Sequence, residues 1–271
     1  MQLGVGSYTY VWGVGVPGYP QPERTLRPDD LLNKAVELGV KLVQIADNLP
    51  LHALGDTAVD SFARRAKAAG ITLELGTLGT DPENLRAYVG LARRLDSRIL
   101  RTVIDTPQER PSVDEVVNRL TPLVSVFEQA GVILAIENHD RFPATVLRQL
   151  VERIGSPNIG ICLDTANSLG CMEGPAHVVE VLGPLTVNLH IKDVRVYRPP
   201  HHKGFVVEGC AAGSGQLDIP WILRRLRDLG RDCNAIVELW PAPEARIEDA
   251  VAKEDAWTRD SVAYLRTLIP D

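Results

Sequence analysis

The sequence predicts a single (β/α)8 barrel spanning residues 1–271, and three observations support this fold class. Eight short apolar runs rich in β-branched residues alternate with eight longer segments of helical periodicity. The runs are apolar on both faces, which is typical of parallel strands covered by helices. The chain has 271 residues without a linker-like stretch, close to the roughly 250 residues that such a barrel uses as one unit.

The strand candidates are short and evenly distributed along the chain. In order they are Leu3–Tyr8, Leu42–Ala46, Ile71–Gly76, Arg98–Ile104, Val132–Glu137, Ile159–Leu163, Thr186–Ile191 and Ala235–Leu239. Since a helical segment follows each of them, neighbouring strands are expected to run parallel.

The helical segments between the strands carry start and stop signals. Pro28-Asp29-Asp30 begins one helix, and Gly39 follows its last apolar residue. Asp81-Pro82-Glu83 combines an N-cap, a proline at the first helical position and an acidic first turn. The last helix is expected from about Asp249 to Leu268. Other glycines that follow helical segments are Gly70, Gly131 and Gly230.

A doubly wound parallel sheet is the alternative architecture. Such a sheet normally carries a glycine-rich nucleotide-binding turn directly after its first strand. Residues 13–18 match GxGxxG literally, but a proline-rich loop follows them instead of a helix, so the barrel is favoured. Two connections exceed a normal loop, Tyr10–Arg27 after strand one and Val194–Asp218 after strand seven. Both lie on the side of the strands where barrel active sites are built.

The composition excludes several classes of protein. There are 29 Lys and Arg against 35 Asp and Glu, a net charge of -6, so nucleic acid is not an expected partner. The four cysteines form no CxxC pair, which argues against both a disulfide framework and a thiolate zinc site. We find no signal peptide and no apolar run long enough to span a membrane. The expected location is the cytoplasm, and the oligomeric state stays open, a homo-oligomer included.

Four metal-capable side chains end four consecutive predicted strands. The strand ends read LAIENHD, GICLDTAN, NLHIKD and AIVELW, and they place Glu137, Asp164, His190 and Glu238 at one mouth of the barrel. A single carboxylate at a strand end could be an ordinary polar cap, but four in succession indicate a site. Three carboxylates and one imidazole favour one divalent ion, Mn²⁺ first, with Mg²⁺, Co²⁺ or Zn²⁺ as alternatives.

The motifs IEN, LDTAN, LHIKD and VEL, together with the barrel count, resemble the xylose-isomerase-like superfamily of sugar isomerases and epimerases. The resemblance covers essentially the whole chain, including the Gly-x-Gly-x-Leu-Asp stretch at residues 213–218. It implies that Glu137, Asp164, His190 and Glu238 bind one divalent metal. In the ketose 3-epimerase branch, the two glutamates would also be the catalytic acid and base. One departure is the run Asp164-Thr165-Ala166-Asn167, because ketose epimerases often have a histidine a few residues after the aspartate of strand six.

This resemblance implies metal-dependent chemistry on a keto-sugar or sugar-acid derivative through a metal-stabilised enediolate. A sugar isomerase or epimerase is the default prediction. A decarboxylase of a 3-oxo sugar acid is the alternative, since loss of CO₂ beside a ketone leads to the same kind of intermediate. The segments SYTY, HHKGFVVEG and AGSGQLDIPW also resemble 3-oxo-isoapionate decarboxylases of this superfamily. More distant alternatives are a non-catalytic barrel subunit and a DNA-repair endonuclease, which would need more histidines than the six present.

A cationic stretch after strand seven suggests that the small carbohydrate substrate is anionic. Arg195 lies nearest the strand end and could grip a carboxylate or phosphate with two hydrogen bonds. Strand alternation places Lys192 on the same side as His190. A solvated surface loop is the alternative interpretation for each member. The stretch contains Lys192, Arg195, Arg198, His201, His202 and Lys203.

Three further residues are candidate substrate contacts. Arg101 interrupts an apolar strand and is expected to point into the barrel mouth, with a buried ion pair to Glu74 as the alternative. Trp12 could wall the substrate side of the metal, although ordinary packing is equally compatible. His52, after strand two, is a candidate polar contact, and an exposed histidine at a helix start is its alternative.

Overall fold

Eight parallel strands close into a barrel in the computed structural model, which describes residues 1–270. The barrel strands are β1 (Leu3–Gly6), β2 (Leu42–Ile45), β3 (Thr72–Leu78), β4 (Ile99–Val103), β5 (Ile133–Glu137), β6 (Ile159–Asp164), β7 (Thr186–Ile191) and β10 (Asn234–Val237). Strand β1 pairs with both β2 and β10, which closes the sheet. The predicted fold class is confirmed, and each predicted strand overlaps an observed one.

Helices surround the barrel. They are α1 (Val11–Val14), α2 (Pro28–Leu38), α3 (Asp56–Ala68), α4 (Pro82–Arg94), α5 (Val113–Leu120), α6 (Val124–Ala130), α7 (Ala144–Ile154), α8 (Pro175–Leu182), α9 (Ile219–Asp228) and α10 (Ile247–Arg266). The predicted cap of α4 is confirmed, because the Asp81 side chain accepts a hydrogen bond from the backbone N–H of Asn84 at 2.8 Å. Within residues 1–270, no helix combines the length and apolar character needed to cross a membrane.

The main hydrophobic core lies between the strands and the helices. Leu31 of α2, Leu85 of α4 and Phe127 of α6 are fully buried against the outward-facing strand residues. Complete burial of one such side chain is worth about 1.5–3 kcal/mol relative to its exposure. The inward-facing residues of the strands are different, since several of them are buried polar groups. The outer core therefore supplies the stability, and the barrel interior is free to hold chemistry.

The segment Val194–Asp218, predicted as a long loop, contains an antiparallel hairpin instead. Its strands are β8 (Asp193–Tyr197) and β9 (Val206–Cys210), which pair outside the barrel. β-Branched residues on both strands favour this pairing. The other long connection, Tyr10–Arg27, contains the short helix α1. Both connections are therefore more ordered than the sequence predicted.

The carboxylate of Asp193 ties the hairpin to the end of the barrel. Asp193 Oδ2 accepts hydrogen bonds from the backbone N–H groups of Gly213 and Gly215, each at 2.9 Å, and Oδ1 accepts one from Leu217 at 3.2 Å. A Cβ atom at Gly215 would lie 2.1 Å from Asp193 Oδ1, and Gly213 has a φ of +85°, so both positions require glycine. This close approach explains the Gly-x-Gly spacing.

The carboxylate of Glu254, on α10, holds helix α1. Glu254 is fully buried, and its two oxygens accept hydrogen bonds from the backbone N–H groups of Trp12 at 2.8 Å and Gly13 at 3.0 Å. Burial raises the pKa of Glu254 to about 8, although the two N–H donors act in the opposite direction. Between the unfolded pKa of about 4.3 and this value, the folded state binds more protons than the unfolded state.

We therefore expect the Glu254 contribution to stability to be present at pH 5 and to be lost as the pH rises towards 8. Through this one group, the free energy of unfolding should fall by at most about 1.4 kcal/mol per pH unit. The measurement is the free energy of unfolding in urea from pH 5 to 9, for wild type and Glu254→Gln. As the pH rises, the free energy of unfolding of wild type should fall relative to that of Glu254→Gln. Parallel pH profiles of the two proteins would contradict the prediction.

Candidate metal centre

The structure brings the four predicted ligands together at one end of the barrel. Glu137 ends β5, Asp164 ends β6, His190 lies in β7 and Glu238 follows β10. The register of the parallel strands places Asp164 opposite His190. One ligand atom from each of the four side chains lies within 4.8 Å of the others, and all four residues are buried. These residues could hold one divalent cation.

The imidazole of His190 shows the clearest fit to a cation. Its Nδ1 atom is buried and makes no hydrogen bond within residues 1–270, although it lies 2.9 Å from Glu238 Oε1 and 3.4 Å from Glu137 Oε2. Burial alone would lower the pKa of His190, but the neighbouring Cys162, Glu238 and Glu137 raise it well above its usual value. A buried nitrogen without a partner that faces two buried carboxylates is a set of donor atoms that a divalent ion would satisfy.

Asp164 is oriented by the backbone that follows its strand. Its Oδ1 atom accepts hydrogen bonds from the backbone N–H groups of Ala166 and Asn167, both at 2.8 Å. The Asn138 side chain bridges to the backbone of Asp164, accepting from its N–H at 2.7 Å and donating to its carbonyl at 2.9 Å. These bonds leave Asp164 Oδ2 facing the centre, and they explain the asparagine of the IEN motif.

Glu137 has both carboxylate oxygens engaged by protein groups. Arg101 Nε pairs with Oε2, and Asn167 Nδ2 donates to Oε1 at 2.7 Å. Burial alone would raise the pKa of Glu137, but Arg101 and His190 hold it well below its usual value. Glu137 is therefore a fixed carboxylate suited to binding a cation. The role of Asn167 was not predicted.

Arg101 points into the barrel mouth, as expected. The alternative prediction for this residue, a buried ion pair with Glu74, is wrong, because its partners are Glu137 and Asp47. Arg101 Nη1 lies 3.1 Å from Asp47 Oδ1, and the Tyr8 hydroxyl donates to the other oxygen of Asp47 at 2.9 Å. The alternative fails because Glu74 lies deeper in the barrel, where amide side chains hold it.

Lys192 lies in the centre itself rather than beside it. Its ammonium group pairs with Asp164 Oδ2 and Glu238 Oε2 and lies 5.2 Å from the centre of the Trp240 ring. Burial alone would lower the pKa of Lys192, but Asp164, Glu238 and Glu137 raise it above its usual value. Lys192 is therefore a buried ammonium group whose positive charge these carboxylates favour.

A cavity of about 390 Å³ opens above the centre, and Glu137, Asn167, Lys192 and Glu238 form part of its wall. Cationic and aromatic side chains complete the wall. The cationic ones are Arg101, Arg110 and Lys192, and the aromatic ones are Tyr8 and Trp240. Arg110 is exposed and makes no hydrogen bond among the described residues, so its guanidinium is available to a ligand. No pattern around Arg110 predicted this position, which depends on the path of the loop after β4.

The two predicted contacts on the hairpin lie outside the wall of this cavity. Arg195 is exposed on β8, and its Nε donates to the Ser214 carbonyl at 2.9 Å. His201 is exposed near the tip of the hairpin, and its Nδ1 accepts from the Lys203 N–H at 3.2 Å. Hairpin formation moves both side chains away from the four-residue centre.

Trp12 and His52 also lie outside the cavity wall. Trp12 is buried, with its indole N–H donating to the Pro241 carbonyl at 2.9 Å. His52 Nδ1 lies 2.8 Å from the Tyr88 hydroxyl in a neighbouring cavity of about 270 Å³. Of the six predicted substrate contacts, the structure thus brings Arg101 and Lys192 to the centre.

Comparison with known proteins identifies relatives along the whole chain. The family described as Xylose isomerase-like TIM barrel matches residues 32–268. The 3-oxo-isoapionate decarboxylase of Pectobacterium atrosepticum is 34% identical over 270 residues, which cover 100% of this chain and 97% of that protein.

Solved structures show the same fold at lower identity. D-psicose 3-epimerase with D-tagatose from Clostridium cellulolyticum H10 has a TM-score of 0.75 and 15% identity, over 99% of both chains. The IOLI protein with a zinc atom has a TM-score of 0.71 and 18% identity, over 97% of this chain and 99% of that one. A barrel protein from Mycobacterium smegmatis in complex with magnesium has a TM-score of 0.69 and 16% identity, over 97% of both chains.

Proposed function

The chain belongs to the Xylose isomerase-like TIM barrel family, and from this premise we propose that it decarboxylates a 3-oxo sugar acid at the centre formed by Glu137, Asp164, His190 and Glu238. The observation that carries the proposal is the 34% identity to a 3-oxo-isoapionate decarboxylase across the full length of both chains. The epimerase structures, at 15–17% identity, support the fold alone. Of the two reactions that the sequence predicted, the decarboxylation is therefore favoured.

The charges around the cavity support an anionic substrate. Lys192, Arg110 and Arg101 all line the cavity. Arg110 is free to form a two-pronged hydrogen bond with the substrate carboxylate. A keto-sugar without a carboxylate would leave this cation without a partner.

The state of Glu137 also favours decarboxylation over epimerisation. An epimerase needs two groups that exchange protons with opposite faces of the substrate. Glu137 is bound through one oxygen by Arg101 and through the other by Asn167, so both oxygens already have protein partners. Decarboxylation needs no base to start, because the departing CO₂ leaves its bonding electrons behind.

The four-residue centre and Lys192 have different roles in this reaction. A divalent ion bound by the four side chains would polarise the 3-oxo group as a Lewis acid. The bond between the α-carbon and the carboxylate breaks, CO₂ leaves, and the electron pair moves towards the 3-oxo oxygen. Lys192 Nζ then gives a proton to the α-carbon and regains one from solvent. Glu238 and Asp164 hold this ammonium group in place.

The test is CO₂ release from 3-oxo-isoapionate by the purified protein in D₂O with added Mn²⁺, Mg²⁺, Co²⁺ or Zn²⁺. We expect one CO₂ per substrate and one deuteron at the former α-carbon, with no turnover after chelation of the metal. A panel of free ketoses, incubated under the same conditions, reports epimerisation. Epimerisation of a ketose without CO₂ release from any 3-oxo acid would overturn the proposal.

A further inference from the structure

A buried network of amide side chains lies inside the barrel, below the four-residue centre. It surrounds Glu74 of β3, which is only 2% exposed. Glu74 Oε2 accepts hydrogen bonds from Gln44 Nε2 at 3.1 Å and Asn188 Nδ2 at 2.9 Å, and Oε1 accepts one from Asn234 Nδ2 at 2.8 Å. Among the described residues, the carboxylate thus receives three amide donors and pairs with no cation.

This network determines which way the amide of Gln44 faces. An amide group has two N–H donors and one carbonyl acceptor. Gln44 Nε2 uses its donors on Glu74 and on Asn188 Oδ1, the latter at 3.1 Å. Gln44 Oε1 is consequently the atom that lies 2.8 Å from His190 Nε2. Because this oxygen can only accept, His190 Nε2 must carry a hydrogen.

The hydrogen on Nε2 leaves the lone pair of the neutral ring on Nδ1. Nδ1 is the buried atom that has no hydrogen-bond partner in the described part of the chain and lies next to the carboxylates of Glu137 and Glu238. The carboxylate of Glu74 therefore acts at a distance, through one amide, on the nitrogen that faces the centre.

We propose that Glu74 and Gln44 are positioning residues that hold His190 in the Nε2–H tautomer and thereby set the affinity of the centre for a divalent cation. The inference rests on the metal site of the proposed function. It follows from the hydrogen-bond chain Glu74–Gln44–His190, in which each donor and acceptor is determined by the one before it. Substitution of a group that hydrogen-bonds to a metal-binding histidine typically lowers metal affinity by about 10–100-fold.

A purely structural role for the network makes a different prediction. In that case, any substitution that leaves Glu74 with hydrogen-bond donors and the barrel folded would not change the affinity for the cation. Exchanging the two side chains separates the roles, because Gln44→Glu combined with Glu74→Gln retains one carboxylate and one amide. The carboxylate then accepts directly from His190 Nε2–H and from the amide at position 74.

The experiment measures the Kd of Mn²⁺ by calorimetry for the metal-stripped full-length protein without substrate. We expect Gln44→Leu to weaken binding about 10–100-fold. The double exchange should bind Mn²⁺ at least as tightly as wild type, because a carboxylate acceptor increases the basicity of the ring. Asn234→Ser is the matched control, since Asn234 contacts Glu74 but not Gln44, and its Kd should stay within about threefold of wild type.

The outcomes separate this inference from the proposed function. Wild-type affinity in Gln44→Leu, or affinity in the double exchange as weak as in Gln44→Leu, would overturn the inference while the metal centre stands. Failure of the wild type to bind Mn²⁺ or any of the other ions would overturn both. If Gln44→Leu does not fold, as judged by circular dichroism, the double exchange decides alone.

Discussion

Replacing Glu238 with glutamine is expected to remove the bound divalent ion and to lower the rate of CO₂ release by at least about 10²-fold. The loss would be comparable to that seen when a single electrostatic group is removed from an active site. Glu238 lies 2.9 Å from His190 Nδ1 and pairs with Lys192, so the variant loses a ligand and a partner of the proton donor together. The measurements are metal content by elemental analysis after incubation with Mn²⁺ and the initial rate of CO₂ release.

Glu244→Gln is the matched control for this experiment. Glu244 lies six residues away and pairs with Lys253 at 2.7 Å, outside the cavity. Its substitution should leave both metal content and rate unchanged. Glu137→Gln should also lose the metal, because Glu137 faces the same nitrogen of His190. A Glu238→Gln protein that kept its metal and its full rate would show that the four-residue cluster is not the reaction centre.

Replacing Lys192 with methionine is expected to lower the rate of CO₂ release by about 10²–10⁴-fold, since the variant lacks the group that returns a proton to the substrate. It should also destabilise the metal-free protein by about 3–5 kcal/mol, because Asp164 and Glu238 lose their buried cation. Mn²⁺ at about 100 times its Kd should restore about 2.7 kcal/mol. Thermal unfolding with and without Mn²⁺ measures both changes.

Lys253→Met provides a control of the same chemistry. Lys253 also pairs with one glutamate and lies 4.8 Å from the centre of a tryptophan ring, that of Trp257, but it is outside the cavity. This variant should show neither the loss of rate nor the loss of stability, and Mn²⁺ should stabilise it as much as it stabilises wild type. If Lys192→Met kept full activity, another group would have to protonate the product. Reduction with borohydride during turnover should attach no substrate to wild type, because Lys192 meets the substrate as an ammonium group, which cannot form an imine.

The barrel could be predicted because its signals are local. Each strand is a short apolar run, and the helices after them begin and end at residues such as Asp81 and Gly39. The hairpin could not be predicted in the same way. Its pairing depends on how Asp193 reaches the backbone at Gly213 and Gly215, about twenty residues further along the chain.

The four-residue centre could be predicted because a barrel gathers the ends of its strands by construction. Glu137, Asp164, His190 and Glu238 each stand at the end of an apolar run, so only the fold was needed to bring them together. The substrate contacts were harder to predict, because the barrel fold does not determine where the side chain of a loop residue lies. The sequence favours Arg195 because it follows a barrel strand closely, but Arg195 lies on the hairpin and donates a hydrogen bond to the Ser214 carbonyl.

The sequence by itself determined the parallel barrel, the mouth at which the chemistry lies and the four candidate ligands, because strand periodicity and strand ends are properties of neighbouring residues. Only the tertiary structure decided that Arg101 pairs with Glu137 rather than Glu74, that Arg110 faces the cavity and that Gln44 bonds to His190. Gln44 and His190 are 146 residues apart. Contacts of this kind form between side chains from distant strands and loops, and their partners are selected by packing and burial rather than by local sequence.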